Sequence, residues 1–262
     1  MSRLPSLFVS HGAPTFALEP GLAGPHLTTL GRTLPRPEAV LVVSPHWMTP
    51  SPRVGVAAQP QTVHDFGGFD PALYRVDYPA PGHPRLARRA IETLAAAGWP
   101  AQADERRGLD HGAWVPLLHL FPQADVPMFQ VSLPSRLDAA SAWAFGEALA
   151  PLAEEGVLVV GSGSLTHNLA EFRGHHGADE PYVAEFAAWV RDAVTAGDGP
   201  RLRSTLAAAP HAGRAHPSTE HFWPLLVAAG AAPEQGDWRV LDGGIAHGVL
   251  AMDTFVFGAS AE

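Results

Sequence analysis

The sequence predicts an α/β fold: a single domain over residues 1–262, with a central mixed, mostly parallel β-sheet flanked by helices and its ligand edge at the strand C-terminal ends. Three observations carry this. Short, continuous, β-branched apolar runs read as strands buried on both faces, Glu38–Trp47 (EAVLVVSPHW) most clearly. Helix-length segments separate these runs, so that strand, helix and strand read as a right-handed crossover between parallel strands. No linker, internal repeat or low-complexity tract divides the 262 residues.

The elements follow in order. Ser6–Ser10 is a strand that runs straight into His11-Gly12-Ala13-Pro14. Glu19–Leu34 is a helix candidate on Leu22, Leu27 and Leu30. The 38–47 strand should end at Pro45, leaving His46 just past its C-terminal edge. Val54–Ala58 is a short strand. Gln59–Pro81 is rich in Gly, Pro and aromatic residues and too long for a plain connection, which suits an active-site loop or lid. Pro84–Ala97 is an amphipathic helix closed by Gly98. Residues 102–107 cross to Asp110-His111-Gly112-Ala113-Trp114, which opens the helix Val115–Leu120. Pro127–Leu133 is a strand, and Leu137–Ala153 a helix. Gly156–Ser164 is a strand leading into Leu165-Thr166-His167-Asn168. Glu180–Ala196 and Arg201–Ala208 are helices, and His211–Pro217 is a loop. The last helix starts near Glu220-His221-Phe222-Trp223, capped by Ser218 or Thr219. Trp238–Asp242 and His247–Phe257 are closing strands joined at Gly243-Gly244.

Bulk properties narrow the function. The formal charge of −9 disfavours a nucleic-acid partner. No apolar run reaches the ~20 residues of a membrane span. The N-terminal residues make no signal peptide, so a cytoplasmic protein is expected, monomeric or a small homo-oligomer. Every basic residue is Arg, which excludes a Schiff-base or P-loop lysine. With no Cys, there are no disulfides, thiolate metal sites or thiol nucleophile, and any metal must be held by His and carboxylates.

The 14 histidines carry the signal. His11, His46 and His167 each follow a strand, and His221 starts a helix. One such histidine is more often structural than not. Four at equivalent positions, on strand ends that converge, favour a histidine-rich divalent metal site. Gly161-Ser162-Gly163-Ser164 is neither a nucleophile elbow nor a dinucleotide fingerprint, and its glycines read as close backbone turns beside a bound centre. His175 and His176 read as solvated; His26, His64, His83, His119 and His211 read as structural. His216 and His247 are candidates to line the pocket and contact substrate. Trp47 stands open between pocket wall and core.

Five ordered motifs, Ser10–Pro14, Ser44–Trp47, Asp110–Trp114, Gly161–Asn168 and Glu220–Leu225, resemble the class III extradiol ring-cleavage dioxygenases, in the DOPA 4,5-dioxygenase-like branch. The resemblance covers nearly the whole chain. It implies opening of a small aromatic diol by O2 at Fe(II), with Zn(II) as an ion that purified protein could carry instead. It implies metal ligation by His11, His46 and His221, an acid/base role for His167 that could also close onto the metal, and His111 near substrate and oxygen. Whether Glu220 or His221 points inward stays open at this stage, with the branch pattern favouring His221. Two rivals use the same residues: a zinc hydrolase, and a non-catalytic metal-binding protein.

Overall fold

The structure, a computed structural model, describes residues 4–174, 177–233 and 236–259; His175 and His176 lie outside them. The strands are β1 (Ser6–Ser10), β2 (Ala39–Thr49), β3 (Arg53–Gly55), β4 (Gln102–Asp104), β5 (Met128–Pro134), β6 (Val157–Gly163), β7 (Asp237–Leu241), β8 (Ile245–Ala246), β9 (Leu250–Ala251) and β10 (Thr254–Ala259). The helices are α1 (Ala23–Thr33), α2 (Pro84–Ala96), α3 (His111–Leu120), α4 (Ala139–Leu149), α5 (Leu169–Gly174), α6 (Pro181–Thr195), α7 (Gly199–Arg203), α8 (Thr205–Ala208), α9 (Ala212–Ala215) and α10 (Trp223–Gly230).

Among the described residues, eight strands form one sheet in the order β4-β3-β5-β2-β6-β1-β10-β7, and β8 pairs with β9 alone. The four central strands, β5, β2, β6 and β1, are parallel. β10 runs antiparallel to β1 and β7, and β3 antiparallel to β5. A mixed, mostly parallel sheet is what the apolar runs predict. β1 and β2 are indeed parallel and joined through α1, but they are not neighbours. β6, more than a hundred residues later, inserts between them. Strand direction is local information; the neighbour is a long-range choice that periodicity does not contain.

Helices cover both faces of β6, and its side-chain alternation shows how. A Cβ on Gly161 would run into the Pro224 carbonyl of α10, while Ser162, pointing the other way, donates to the Gly112 carbonyl of α3. The glycines of this motif are therefore extended, inside the strand, rather than turning beside the site. They are needed because α10, against Gly161, and the His221 carbonyl of the turn before it, against Gly163, lie too close for a side chain.

Other boundaries shift for physical reasons. Pro45 does not end β2. The ladder breaks between Ser44 and Met48, leaving Pro45, His46 and Trp47 opposite consecutive residues Ser132 and Leu133, and then resumes. A proline without an N–H is tolerated in a strand where the ladder bulges, and the bulge re-aims His46. The 137–153 helix ends at Leu149 and continues as a tighter 3₁₀ segment (Ala150–Glu155). The 211–217 loop contains α9, and 201–208 splits into α7 and α8. α10 starts at Trp223 with Phe222 at its N-cap and no side-chain cap, so neither Ser218 nor Thr219 serves. Between β7 and β10 the chain forms the β8–β9 hairpin, with His247 at φ 51°. No helix of the described residues is long and apolar enough to cross a membrane.

Candidate metal centre and active site

Five of the singled-out histidines meet on one cavity of about 720 Å³ at the C-terminal edge of the parallel strands. His11 arrives from β1, His46 from the β2 bulge, His111 from the first residue of α3, His167 from the loop after β6, and His221 from the turn before α10. Ring nitrogens of His11, His46 and His221 lie within 4.8 Å of one another. The ring centroids of His11 and His46 are 5.1 Å apart, His11 and His221 5.5 Å, and His46 and His221 5.1 Å.

The outward nitrogens of two of these rings are tied back. The Ser162 hydroxyl spends its hydrogen on Gly112 O, so it accepts from His11 Nδ1–H at 3.0 Å. The Glu220 carboxylate accepts from His221 Nδ1–H at 3.0 Å, and is itself held by the Ser218 hydroxyl at 3.0 Å. Both rings are thereby left with a bare Nε2. The Nε2 of His221 is buried with no protein partner, and the Nε2 atoms of His11 and His46 are 3.2 Å apart. Burial first, and then the neighbouring imidazoles, hold His11 and His221 well below the usual histidine range. Burial and His111 lower His46 to about 4, against the pull of Asp110 and Asp65. Neutral, tied-back imidazoles with convergent lone pairs fit a divalent cation. Glu220 points at His221 rather than standing in its place, so of the two adjacent residues the histidine belongs to the three-imidazole set.

His167 stacks on His221, ring centroids 3.4 Å apart at 10°. Burial lowers its pKa; Glu220 raises it and His111 opposes that. A second trio of possible donors, His167, Glu220 and His221, adjoins the first, and a third consists of His46, Asp65 and His111.

Beneath His46 lies a buried network that the sequence reading did not single out. Asp110, fully buried, accepts from Ser44 Oγ at 2.9 Å, Gln130 Nε2 at 2.8 Å and Arg107 at 2.6 Å, and caps α3 through Ala113 N. Ser44 Oγ in turn accepts from the backbone N–H of His46, and Arg107 donates to the His46 carbonyl. The bulge is thus fixed on both backbone groups. One signal was available: Gln130 is a lone amide inside an apolar strand, and a buried amide needs partners. Gly112 closes the network. A Cβ there would strike Ser44 Oγ and approach His46 Cδ2 to 3.0 Å. Gly112→Ala is therefore expected to lower thermal stability despite its better helix propensity, by about 1–3 kcal/mol of overpacking. Metal affinity should fall with it, by about ten- to a hundredfold, as when a ligand's support is disturbed. Calorimetry and metal titration read the two effects.

The walls differ from the expectations. Trp47 is 7 % exposed, under the Arg107 guanidinium at 5.0 Å, and does not line the cavity. His216 is 4 % exposed, donates Nε2–H to Leu165 O at 2.8 Å and packs against Phe186 and Phe222, behind the site rather than in it. His247 binds Thr15 and edges onto Phe172, but it lines a separate cavity with Thr15, Phe16 and Met252. The aromatic wall comes instead from Phe66 and Phe69 of the 59–81 loop and from Phe172, with Arg173 beside it. The loop is anchored by Tyr78, whose hydroxyl donates to Phe121 O, and by Trp114 Nε1–H to Val63 O, and is braced internally by His64 to Val76 O. His83 caps α2, His119 donates to Phe16 O, His211 pairs with Glu185 and His26 is exposed, all outside the site.

Residues 29–247 match the family described as the catalytic LigB subunit of aromatic ring-opening dioxygenase. A 4,5-DOPA dioxygenase extradiol of Escherichia coli K12 is 40% identical over 96% of this chain and 93% of its own length. One from Beta vulgaris is 38% identical over 96% of each chain. The crystal structure of an uncharacterized Escherichia coli K12 protein superposes with a TM-score of 0.79 at 33% identity, covering 98% of this chain and 100% of that one. With the histidine cluster and this similarity together, the chain belongs to the LigB family of aromatic ring-opening dioxygenases and is an extradiol ring-cleaving enzyme.

Proposed function

We propose that the enzyme opens a catechol carrying a DOPA-like side chain, using O2 at an Fe(II) ion held by His11, His46 and His221. His167 is the proton-transfer group and His111 stands beside the reacting atoms. The observation that supports this most directly is the three-imidazole set, its lone pairs converging on a cavity with phenylalanine walls. The chemistry that such an ion supplies when bound is chelation of the diol and passage of electrons from the ring to dioxygen. Zinc suits the same imidazoles but does not change oxidation state, and for that reason we assign iron to the reaction.

The chain's own residues do the rest. Phe66, Phe69 and Phe172 offer apolar faces to an aromatic ring and limit water in a cavity sized for a small ligand. A diol must lose protons to bind through both oxygens, and the ring-opening step must return one. His167 is kept neutral by burial, ready to accept a hydroxyl proton and later to donate it.

The test is oxygen uptake by the Fe(II)-loaded protein with DOPA, caffeate and protocatechuate, with yellow product followed in parallel. Equimolar uptake and colour with at least one catechol is the expected result. Stoichiometric iron with no uptake on any of them, or turnover of esters or amides by the zinc form alone, would overturn the assignment.

A further inference from the structure

Asp65 borders the cavity but is given no part in the reaction above. It sits on the 59–81 loop, immediately before Phe66 of the aromatic wall. Its Oδ1 accepts twice from a single residue, from the His111 backbone N–H at 2.9 Å and from His111 Nδ1 at 2.9 Å. Its Oδ2 lies 3.9 Å from His46 Nδ1. Helix capping does not explain this, because α3 already has Asp110 as its N-cap.

We infer that Asp65 is a positioning residue: it holds His111 in the Nδ1–H tautomer, leaving Nε2 as an acceptor for a substrate hydroxyl, and with the same bonds it latches the 59–81 loop and its phenylalanines over the site. An ionised carboxylate can only accept hydrogen bonds, so the shared proton must sit on His111 Nδ1. A neutral imidazole with a proton on Nδ1 has a bare Nε2. The ring cannot easily turn away, since it packs on His46 at 4.0 Å between centroids and meets Phe66 edge-on at 5.7 Å. Carboxylates that orient a working histidine in this way act through it rather than on the substrate. The use of the free Nε2 rests on the ring-opening reading; the tautomer and the latch do not.

The experiment compares wild type with Asp65→Asn and Asp65→Ala, using two readouts that need no turnover. Long-range 1H–15N correlation spectra report the His111 tautomer, with His111→Gln identifying its signals. Trypsin cleavage after Arg75, within the loop, reports the latch in metal-free protein. In wild type the Nδ1–H tautomer is expected. In Asp65→Ala the tautomer should become mixed, and cleavage should be about tenfold faster as the loop opens locally. With iron content retained, kcat should fall about a hundredfold while KM changes much less. Asp65→Asn keeps an acceptor oxygen without the charge and should fall between the two. An Nε2–H tautomer in wild type, or an alanine variant with unchanged tautomer and cleavage, would overturn the inference even if activity fell. A wild type that consumed no oxygen would count against the ring-opening reading alone, since the spectra and the cleavage would still report on Asp65.

Discussion

His46→Ala is expected to leave the protein folded, without stoichiometric metal, and at least about a thousandfold weaker in kcat/KM, since loss of a proposed ligand takes with it the metal's whole catalytic contribution. His46 belongs both to the set with His11 and His221 and to the set with Asp65 and His111, so its loss breaks two of the three donor groups; in the remaining one, His167, Glu220 and His221, the Glu220 carboxylate is already engaged by His221 Nδ1. Two imidazoles and water bind a divalent ion far more weakly than three. The fold should survive because the side chain stands half-buried on a bulge whose backbone is held by Ser44 and Arg107, not by the ring. Because burial and its neighbours hold the His46 pKa at about 4, keeping that ring uncharged costs the folded protein stability only as pH falls below the ordinary value of 6.5. The metal-free variant should therefore gain on the metal-free wild type in melting temperature as pH falls below about 6.5, with the gain disappearing above it. Metal analysis, scanning calorimetry and oxygen uptake check the three parts. Full metal content with normal turnover would move the ligand set elsewhere; retained metal with no turnover would leave His46 a role beside the substrate.

Much of this site is readable in the sequence because one device is used repeatedly. A buried parallel strand is spelled by its residues, and the residue after it must lie at the sheet edge. His11, His46 and His167 are placed by that rule, His221 by the helix start it precedes, and the resemblance of the surrounding motifs adds His111. What is not readable is anything that depends on which strand lies beside which. The insertion of β6 between β1 and β2 brings Ser162 to His11, and nothing in either segment announces it. The same holds for Asp65, which reaches His111 across 46 residues from an irregular loop, and for Asp110 with Gln130. Trp47 follows His46 in sequence, yet the alternation of side chains sends it to the opposite side, under Arg107. His216 is only five residues from His221, but the turn before α10 buries it behind the site among Phe186 and Phe222. Adjacency along the chain is a poor guide where the backbone turns within a few residues.

His167→Ala separates the remaining alternatives for the most ambiguous histidine. Its ring lies flat on His221, a ring's thickness away from a member of the three-imidazole set, and it also belongs to a trio with Glu220 and His221 that could hold an ion. If His167 moves protons, the alanine variant keeps its metal at wild-type affinity and loses about 10²- to 10⁴-fold in kcat, the usual worth of a general acid or base. If it is a fourth ligand, affinity falls along with activity. Chemical rescue sharpens the distinction. Alanine leaves a ring-sized space beside the cavity, next to the flat face of His221, that free imidazole can enter. Added imidazole should restore part of kcat, with a dependence on the pKa of substituted imidazoles, if proton transfer is what was lost. Restored metal affinity without that dependence would instead mean ligation. Geometry favours the first outcome: the lone pairs of His11, His46 and His221 already converge without His167, and burial keeps His167 neutral. In the proposed reaction a neutral imidazole at this position takes the second hydroxyl proton of the diol, and once protonated it has Glu220 nearby to stabilise the charge until the proton is returned.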